Sequence, residues 1–398
     1  MTIMRRSPVA IVGAGITGSV IARLLAEKDI RVDLYERRPH LGGNCFDVFE
    51  LSSYTHIYGP HLFHTSDKRV VDFLSRYTDF RPYFHKVRAY IDGELLPIPF
   101  SLATLKKTHP TSLANRLTEK LIGQYGYGNQ VTIYQLLQAE DQDLNELGRY
   151  VYQKVFLGYS QKQWGLDDPM QLDKGVLNRI PVRINMDTNY FADKYQMLPA
   201  SGYASVFENM LNHSNIDIRL NQDINLRAAN IKPGSESVSI NGAVYGHVFY
   251  SGMIDQFFDY EYGRLGYRSL SFESTLQSTD WDHRPTMISN YPANFDYTRI
   301  ADYSHLSTVL GVPVSADSRV CYEYPGAYDA DSEQFSEPYY PLFTSDARSL
   351  HSRYQKRLND YKSCVTICGR LGDYKYYDMD DALIAARSLA LSYLVSVN

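Results

Sequence analysis

Gly13-Ala14-Gly15-Ile16-Thr17-Gly18 follows directly on the apolar run Val9-Ala10-Ile11-Val12, and Glu36 stands twenty-three residues past Gly13. Residues of these types at this spacing suit a dinucleotide. Gly13 permits a tight turn, Gly15 lets the backbone approach a pyrophosphate, and Gly18 lets a helix pack closely on a strand. The helix that follows offers unpaired N–H groups and the positive end of its dipole to phosphates. Glu36 can accept from both hydroxyls of a ribose. Behind the acid come Arg37 and then a second glycine pair, Gly42-Gly43-Asn44. A nicotinamide domain does not need that pair, so the expectation turns towards a flavin dinucleotide. An ordinary strand, turn and helix without ligand is the alternative.

Other constellations are less specific. Arg179-Ile180-Pro181-Val182-Arg183 and Tyr297-Thr298-Arg299-Ile300 each set arginine among apolar, strand-like neighbours. A buried guanidinium needs an anion, and a diphosphate matches its forked donors; a surface arginine with a buried stem is the other reading. Tyr159-Ser160-Gln161-Lys162-Gln163-Trp164-Gly165 could stack and hydrogen-bond a flat base, or could pack a helix end. Gly369-Arg370-Leu371 and the run Tyr374 to Met379 put tyrosine hydroxyls beside a helix start, with Asp378 as a natural N-cap. His56, His61 and His64 invite zinc, but Gly59-Pro60 prevents one continuous helix and no carboxylate or thiol has fitting spacing. No metal is expected. A loop presenting His61 and His64 to a cofactor or ligand is one reading, a structural turn the other. There is no Ser-His-Asp set, nucleophile elbow or P-loop.

These residues need elements to hold them. Strand, glycine turn, helix and second strand occur in that order over the first forty residues. Helices are expected over 112–124, 132–140 and 143–156, each with Ser, Thr or Asp near its start. Asn241-Gly242 predicts a hairpin joining 238–240 to 244–250. Alternating runs over 262–325 predict an antiparallel sheet. A strand over 365–368 and a helix opening at Asp378 return the chain to α/β. The expected class is α/β: a Rossmann-like dinucleotide-binding domain from 1–80, 196–255 and 356–398, a helical insertion over 101–178, and an antiparallel sheet domain from 81–100, 179–195 and 256–355.

Composition sets the bounds. The 398 residues are 44% apolar and 21% charged, so the chain folds, and its length fits two or three domains. A net charge of −5 argues against a nucleic-acid partner while leaving room for a local basic pocket. The 34 tyrosines, against 17 phenylalanines, suit surfaces that hold rings and polar oxygens together. Four cysteines make no disulfide framework. No apolar run is long enough for a membrane span. The N-terminal stretch lacks a long apolar core and a cleavage signal, so a cytoplasmic location is expected.

The chain resembles the prokaryotic UDP-galactopyranose mutases over nearly its whole length. The resemblance is carried by the glycine turn with Glu36 and Gly42-Gly43-Asn44, by Tyr58 to Thr65, and by the Tyr159 to Gly165 block. Arg179 to Arg183, Asn189-Tyr190-Phe191, Ile254 to Asp259, Tyr267-Arg268-Ser269-Leu270 and Tyr297 to Ile300 continue it. Glu337-Pro338-Tyr339-Tyr340-Pro341, Gly369-Arg370-Leu371 and Tyr374 to Met379 complete it. It implies an isomerase, usually a homodimer, that converts UDP-galactopyranose to the furanose through a reduced-flavin N5–sugar adduct. FAD is the implied cofactor, active when reduced by a donor such as NAD(P)H.

By the same resemblance, Arg179 and Arg299 grip the diphosphate and count with His61 and His64 as catalytic. Tyr159 stacks on uracil and Trp164 lines the cleft. Tyr190, Tyr324 and Tyr376 hold phosphate oxygens, with Asp378 beside them. His85 and Asn290 reach the substrate. Gly13, Gly15, Ile16, Thr17, Gly18, Glu36, Arg37, Gly43, Asn44, His61, Arg268, Arg370, Tyr377, Asp378 and Met379 hold the cofactor. Two departures stand out. Pro60 replaces an alanine common in the family, and His85 replaces a sugar-facing asparagine. The second opens the alternative of a related sugar, such as UDP-N-acetylgalactosamine or a dTDP-deoxyhexose. A flavin oxidoreductase sharing the dinucleotide fold is the alternative of a different class.

Overall fold

The structure, a computed structural model, describes residues 7–167, 181–293 and 295–397. Its foundation is a five-stranded parallel sheet in the order Ile216–Arg219, Val32–Tyr35, Val9–Val12, His247–Tyr250, Val365–Ile367. Val9–Val12 pairs residue for residue with Val32–Tyr35 on one side and His247–Tyr250 on the other. The runs VDLY and HVFY are buried at every position, as parallel strands covered on both faces must be. Strand order reverses beside Val9–Val12, and a crevice opens at such a point beyond the carboxyl ends of the strands. The helix Ile16–Ala26 packs on the last helix, Met379–Ser396, so the two ends of the chain meet over this crevice.

A second sheet has seven strands: Tyr340–Pro341, Tyr267–Ser278, Asp317–Ala327, Arg299–Asp302, Ile288–Asn290, Val87–Ile91 and Glu94–Ile98. It is antiparallel except where Ile288–Asn290 runs parallel to Val87–Ile91. A three-stranded sheet of Phe63–Thr65, Tyr195–Pro199 and Phe80–Pro82 sets His64 opposite Gln196.

The helical stretch departs from expectation in two places. The 132–140 helix is only Ile133–Leu137, because Thr132 caps it through a box with Gln135 and ends the strand Gln130–Thr132, which pairs with Pro181–Arg183. The 143–156 helix is α-helical only over Gln142–Val151 and then widens to a π-helix over Tyr152–Leu157, directly before Gly158–Trp164. The hairpin forms as its turn predicts, with Asn241 and Gly242 at φ 50° and 81°. Its second arm stops at Tyr245, however. His247–Tyr250 belongs to the parallel sheet, where burial on both faces outweighs the local turn.

Candidate active site

Two cavities meet at the crevice. The first, of about 360 Å³, is lined by the glycine turn, by Ile16 and Thr17 at the helix start, and by Glu36, Arg37, Gly43 and Asn44. Gly13, at φ +101°, sits where a Cβ would strike Ser251 Oγ at 2.0 Å, and a Cβ on Gly18 would strike Gly13 O at 1.9 Å. Packing demands both. Gly15 differs: its φ of −76° suits any residue, and a Cβ there would meet nothing nearer than Gly43 Cα at 3.9 Å. Neither backbone nor packing requires glycine at 15, which leaves its backbone open to close approach by a group in the cavity. First-turn N–H groups of a helix have no intrahelical partner and face such a group.

Glu36 is 6% exposed, with Oε2 accepting from Ala14 N–H (2.8 Å) and Oε1 from Arg38 N–H (2.9 Å). Each oxygen keeps a lone pair for a ribose hydroxyl. At the rim, Arg37 and Arg38 both bond Glu337, and Arg38 also donates to Asn44 Oδ1 (3.0 Å) while lying 4.0 Å over the Tyr58 ring. Tyr377 lines the same cavity and donates to Asp373 (2.9 Å), and its carbonyl accepts from Arg370.

The second cavity, of about 200 Å³, shares His61, Tyr339, Arg370, Asp378 and Met379 with the first. Asp378 caps the last helix at this junction. Beyond it lie His64, His85, Tyr190, Asn290, Arg299, Tyr340 and Tyr376. Arg299 and Glu323 are cross-strand partners and form an ion pair, Nε to Oε1 3.2 Å. Burial pushes the Glu323 carboxyl up against the pull of Arg299. Arg299 Nη2 donates to Tyr159 OH (2.6 Å), whose own hydroxyl burial pushes up to about 12. Tyr340 and Tyr376 stack in parallel, centroids 5.7 Å apart, and the Arg370 guanidinium lies 5.4 and 5.5 Å from the two rings. A guanidinium, further cationic charge and phenol hydroxyls on one wall make a seat for a diphosphate.

The imidazoles differ. His61 Nδ1 donates to Gly59 O (2.8 Å), and burial with the Arg370 and Arg299 charges lowers its pKa to about 4. His85 is 3% exposed and is lowered to about 3 by burial, Arg299 and His64. Both are neutral at pH 7. His64 alone of the three holds a carboxylate, with Nδ1 2.9 Å from Asp193 Oδ2. Asn290 Oδ1 is buried without a partner among the described residues and is free for a ligand. His56, outside the cavities, accepts from His61 N–H (2.9 Å) and so holds the loop.

Three expected site residues stand elsewhere, and a fourth is not described. Tyr324 lies one position along its strand from Glu323; it turns to the opposite sheet face and donates to Glu273 (3.1 Å). Arg268 lines neither cavity and instead donates to the Gln163 and Lys162 carbonyls (2.9 and 3.0 Å), tying down the end of Gly158–Trp164. Trp164 touches the second cavity only through Tyr340, ring to ring at 6.4 Å. Arg179 lies outside the described residues. Its neighbour Arg183 bonds the Asn189 and Tyr190 carbonyls and so fixes Tyr190. Tyr340, Glu323, Arg38 and Glu337 carry site roles that residue types alone do not mark. The Glu337 to Pro341 block was the one available signal for two of them.

Three comparisons bear on this arrangement. The family model described as UDP-galactopyranose mutase matches residues 154–376, and one for an NAD(P)-binding Rossmann-like domain matches 11–77. The chain is 36% identical over 396 residues to a dTDP-fucopyranose mutase of Escherichia coli, covering 97% of this chain and 98% of that one. It is 34% identical over 398 residues to a probable UDP-galactopyranose mutase of Klebsiella pneumoniae, covering 99% and 96%. A crystal structure of reduced UDP-galactopyranose mutase superposes with a TM-score of 0.72 at 14% identity, covering 98% and 96%, a likeness of fold. Among the described residues, no helix is long and apolar enough to cross a membrane.

Proposed function

We propose that this chain, which belongs to the UDP-galactopyranose mutase family, isomerises the pyranose and furanose forms of a nucleotide-diphosphate sugar, with UDP-galactopyranose as its substrate. One observation carries the reading: a dinucleotide cavity and a diphosphate seat share a wall of five residues. A sugar whose diphosphate rests near Arg299 must therefore project towards whatever the first cavity holds.

FAD fits the first cavity. Its pyrophosphate would lie on Gly15 and the N-terminus of Ile16–Ala26, and its adenosine ribose on Glu36. Bound and reduced, FAD supplies a nucleophilic nitrogen for the anomeric carbon. The chain's residues do the rest. Arg299, assisted by Tyr190, Tyr340 and Tyr376, holds the diphosphate as its charge grows on leaving, which is stabilisation where charge develops. Arg179 is proposed as a second cation there. Tyr159 steadies Arg299 through its hydroxyl, and Asp378 ties the cofactor wall to the substrate wall.

A reductant such as NAD(P)H, a homodimer and a cytoplasmic setting complete the proposal. The four free thiols, all buried, suit a reducing compartment. A related sugar is the second reading. It is favoured by buried, neutral His85 and unpartnered Asn290 inside the second cavity, and by the similarity to a relative named for dTDP-fucopyranose. Purified protein should release FAD on denaturation. Its reduced form should be offered UDP-galactose, UDP-N-acetylgalactosamine and dTDP-fucose, with furanose products assayed for each. Flavin-free protein that cannot be loaded, or no furanose from any of the three, refutes the reading.

A further inference from the structure

We propose that His64 carries the proton that ring exchange must move, with Asp193 as its positioning residue; this rests on the mutase reading. Converting a pyranose to a furanose breaks C1–O5 and forms C1–O4. O5 keeps the electron pair of the broken bond and gains a proton. O4 gives a pair to C1 and loses its proton. No electron is gained or lost overall, but one proton must pass from O4 to O5, two oxygens of the same sugar. A single imidazole can serve both. His64 as imidazolium gives its Nε2 proton to O5 as the six-membered ring opens. Neutral Nε2 then takes the proton from O4 as the five-membered ring closes, and the imidazolium is restored.

Geometry singles out this residue. Of the three imidazoles lining the second cavity, His61 faces a backbone carbonyl and two arginine charges, and His85 faces a tyrosine hydroxyl and Arg299. Neither site favours a cation. His64, which lines the cavity, has a carboxylate on Nδ1, which fixes that nitrogen as donor and leaves Nε2 without a partner among the described residues.

The pair is built rather than incidental. Asp193 Oδ1 accepts from Ser66 Oγ (3.1 Å), so both carboxylate oxygens are engaged. The His64 ring lies flat on Phe191, centroids 3.6 Å apart at 18°. Gln196, buried and opposite His64 in the sheet, donates to the Phe191 and Asp193 carbonyls (3.3 and 3.0 Å) and pins the turn that carries both partners. The diphosphate seat uses none of these groups.

The test uses reduced holoenzyme as wild type, H64A, H64Q, D193N and the H64A/D193N double variant. UDP affinity should stay within about twofold of wild type in all. H64A and H64Q should lose about 10²–10⁴-fold in kcat, the usual worth of a positioned acid–base group. Added imidazole should restore part of the H64A rate. D193N should lose about tenfold or more in kcat, with no further loss on the H64A background. ¹⁵N spectra should show His64 Nδ1 protonated in wild type, both when the ring is neutral and when it is the imidazolium, and a mixed tautomer for the neutral ring in D193N. A kcat for H64Q within about threefold of wild type, additive losses in the double variant, or a wild-type proton on Nε2 alone would overturn the assignment while leaving the mutase reading intact. A wild type that isomerises no nucleotide sugar would overturn the mutase reading itself, and this proposal with it.

Discussion

Glu323 faces Arg299 across two antiparallel strands, and the carboxylate meets the guanidinium at 3.2 Å on the sheet face that lines the second cavity. Glu323 is 3% exposed, so the arginine is aimed by a charge that solvent hardly reaches. A diphosphate arriving there finds the cation already oriented.

Removing the carboxylate should therefore weaken the free protein more than the liganded one. Breaking a buried pair by deleting one partner costs roughly 3 kcal/mol or more. E323Q should lower the melting temperature, and UDP should recover more stability for the variant than for wild type, because phosphate oxygens replace the lost anion. Equal gains with UDP in both proteins would mean that the diphosphate does not meet Arg299.

Arg299 itself should carry much of the affinity. R299A removes the charge partner of a desolvated diphosphate and should cost roughly 2–5 kcal/mol in kcat/KM, read from initial rates with reduced enzyme. Turnover near wild type would make this arginine structural.

Two tyrosines give a paired test. Y340F removes a hydroxyl from the cavity wall and should weaken UDP binding about tenfold or more, as a hydrogen bond to a charged group is worth roughly 1.5–3 kcal/mol. Y324F, on the opposite face and bonded to Glu273, should bind UDP within about twofold of wild type. Calorimetric titration of both variants separates the two positions.

Two glycines give another. G15A meets no steric obstacle and should keep the fold within about 1 kcal/mol, yet lose flavin affinity because its methyl enters the cofactor's space. G18A drives a methyl into Gly13 O and should be destabilised with or without flavin. Flavin retention and thermal melts together distinguish them.

Acid should destabilise the protein through buried imidazoles. Burial lowers His56 and His85 to about 3 and His247 to about 4, below the 6.5 of an unfolded histidine. The unfolded chain thus binds protons first. Stability from these groups is full above pH 6.5 and falls as pH drops towards 4, by about 1.4 kcal/mol per pH unit for each imidazole. Urea melts at pH 7, 6 and 5 should show this slope, with proton uptake on unfolding.

The parts legible in the sequence are those written in local signals. The glycine turn, Glu36 and the Asp378 cap each depend on neighbours within one strand–turn–helix unit, and they stand where residue types and spacing put them. Arg299 was legible as a buried cation in need of an anion. Its partner was not, because Glu323 meets it only through strand register. The same ignorance of register separates Tyr324 from Glu323: in a strand, one position is the difference between the cleft and the far face. Arg268 has the right type for a ligand, but the Lys162 and Gln163 carbonyls claim it, a long-range contact no spacing reveals. The π-helix before Tyr159 left no mark in the helical periodicity.

Isomerisation depends on the two cavities bringing a reduced flavin and an anchored nucleotide sugar together. Its most direct test is to follow UDP-galactopyranose by NMR with the same enzyme sample, first oxidised and then chemically reduced. No change is expected while the flavin is oxidised, and UDP-galactofuranose, or the matching furanose from a related sugar in the same panel, should appear once it is reduced. Reduced, flavin-loaded enzyme that leaves every sugar in the panel a pyranose would contradict it.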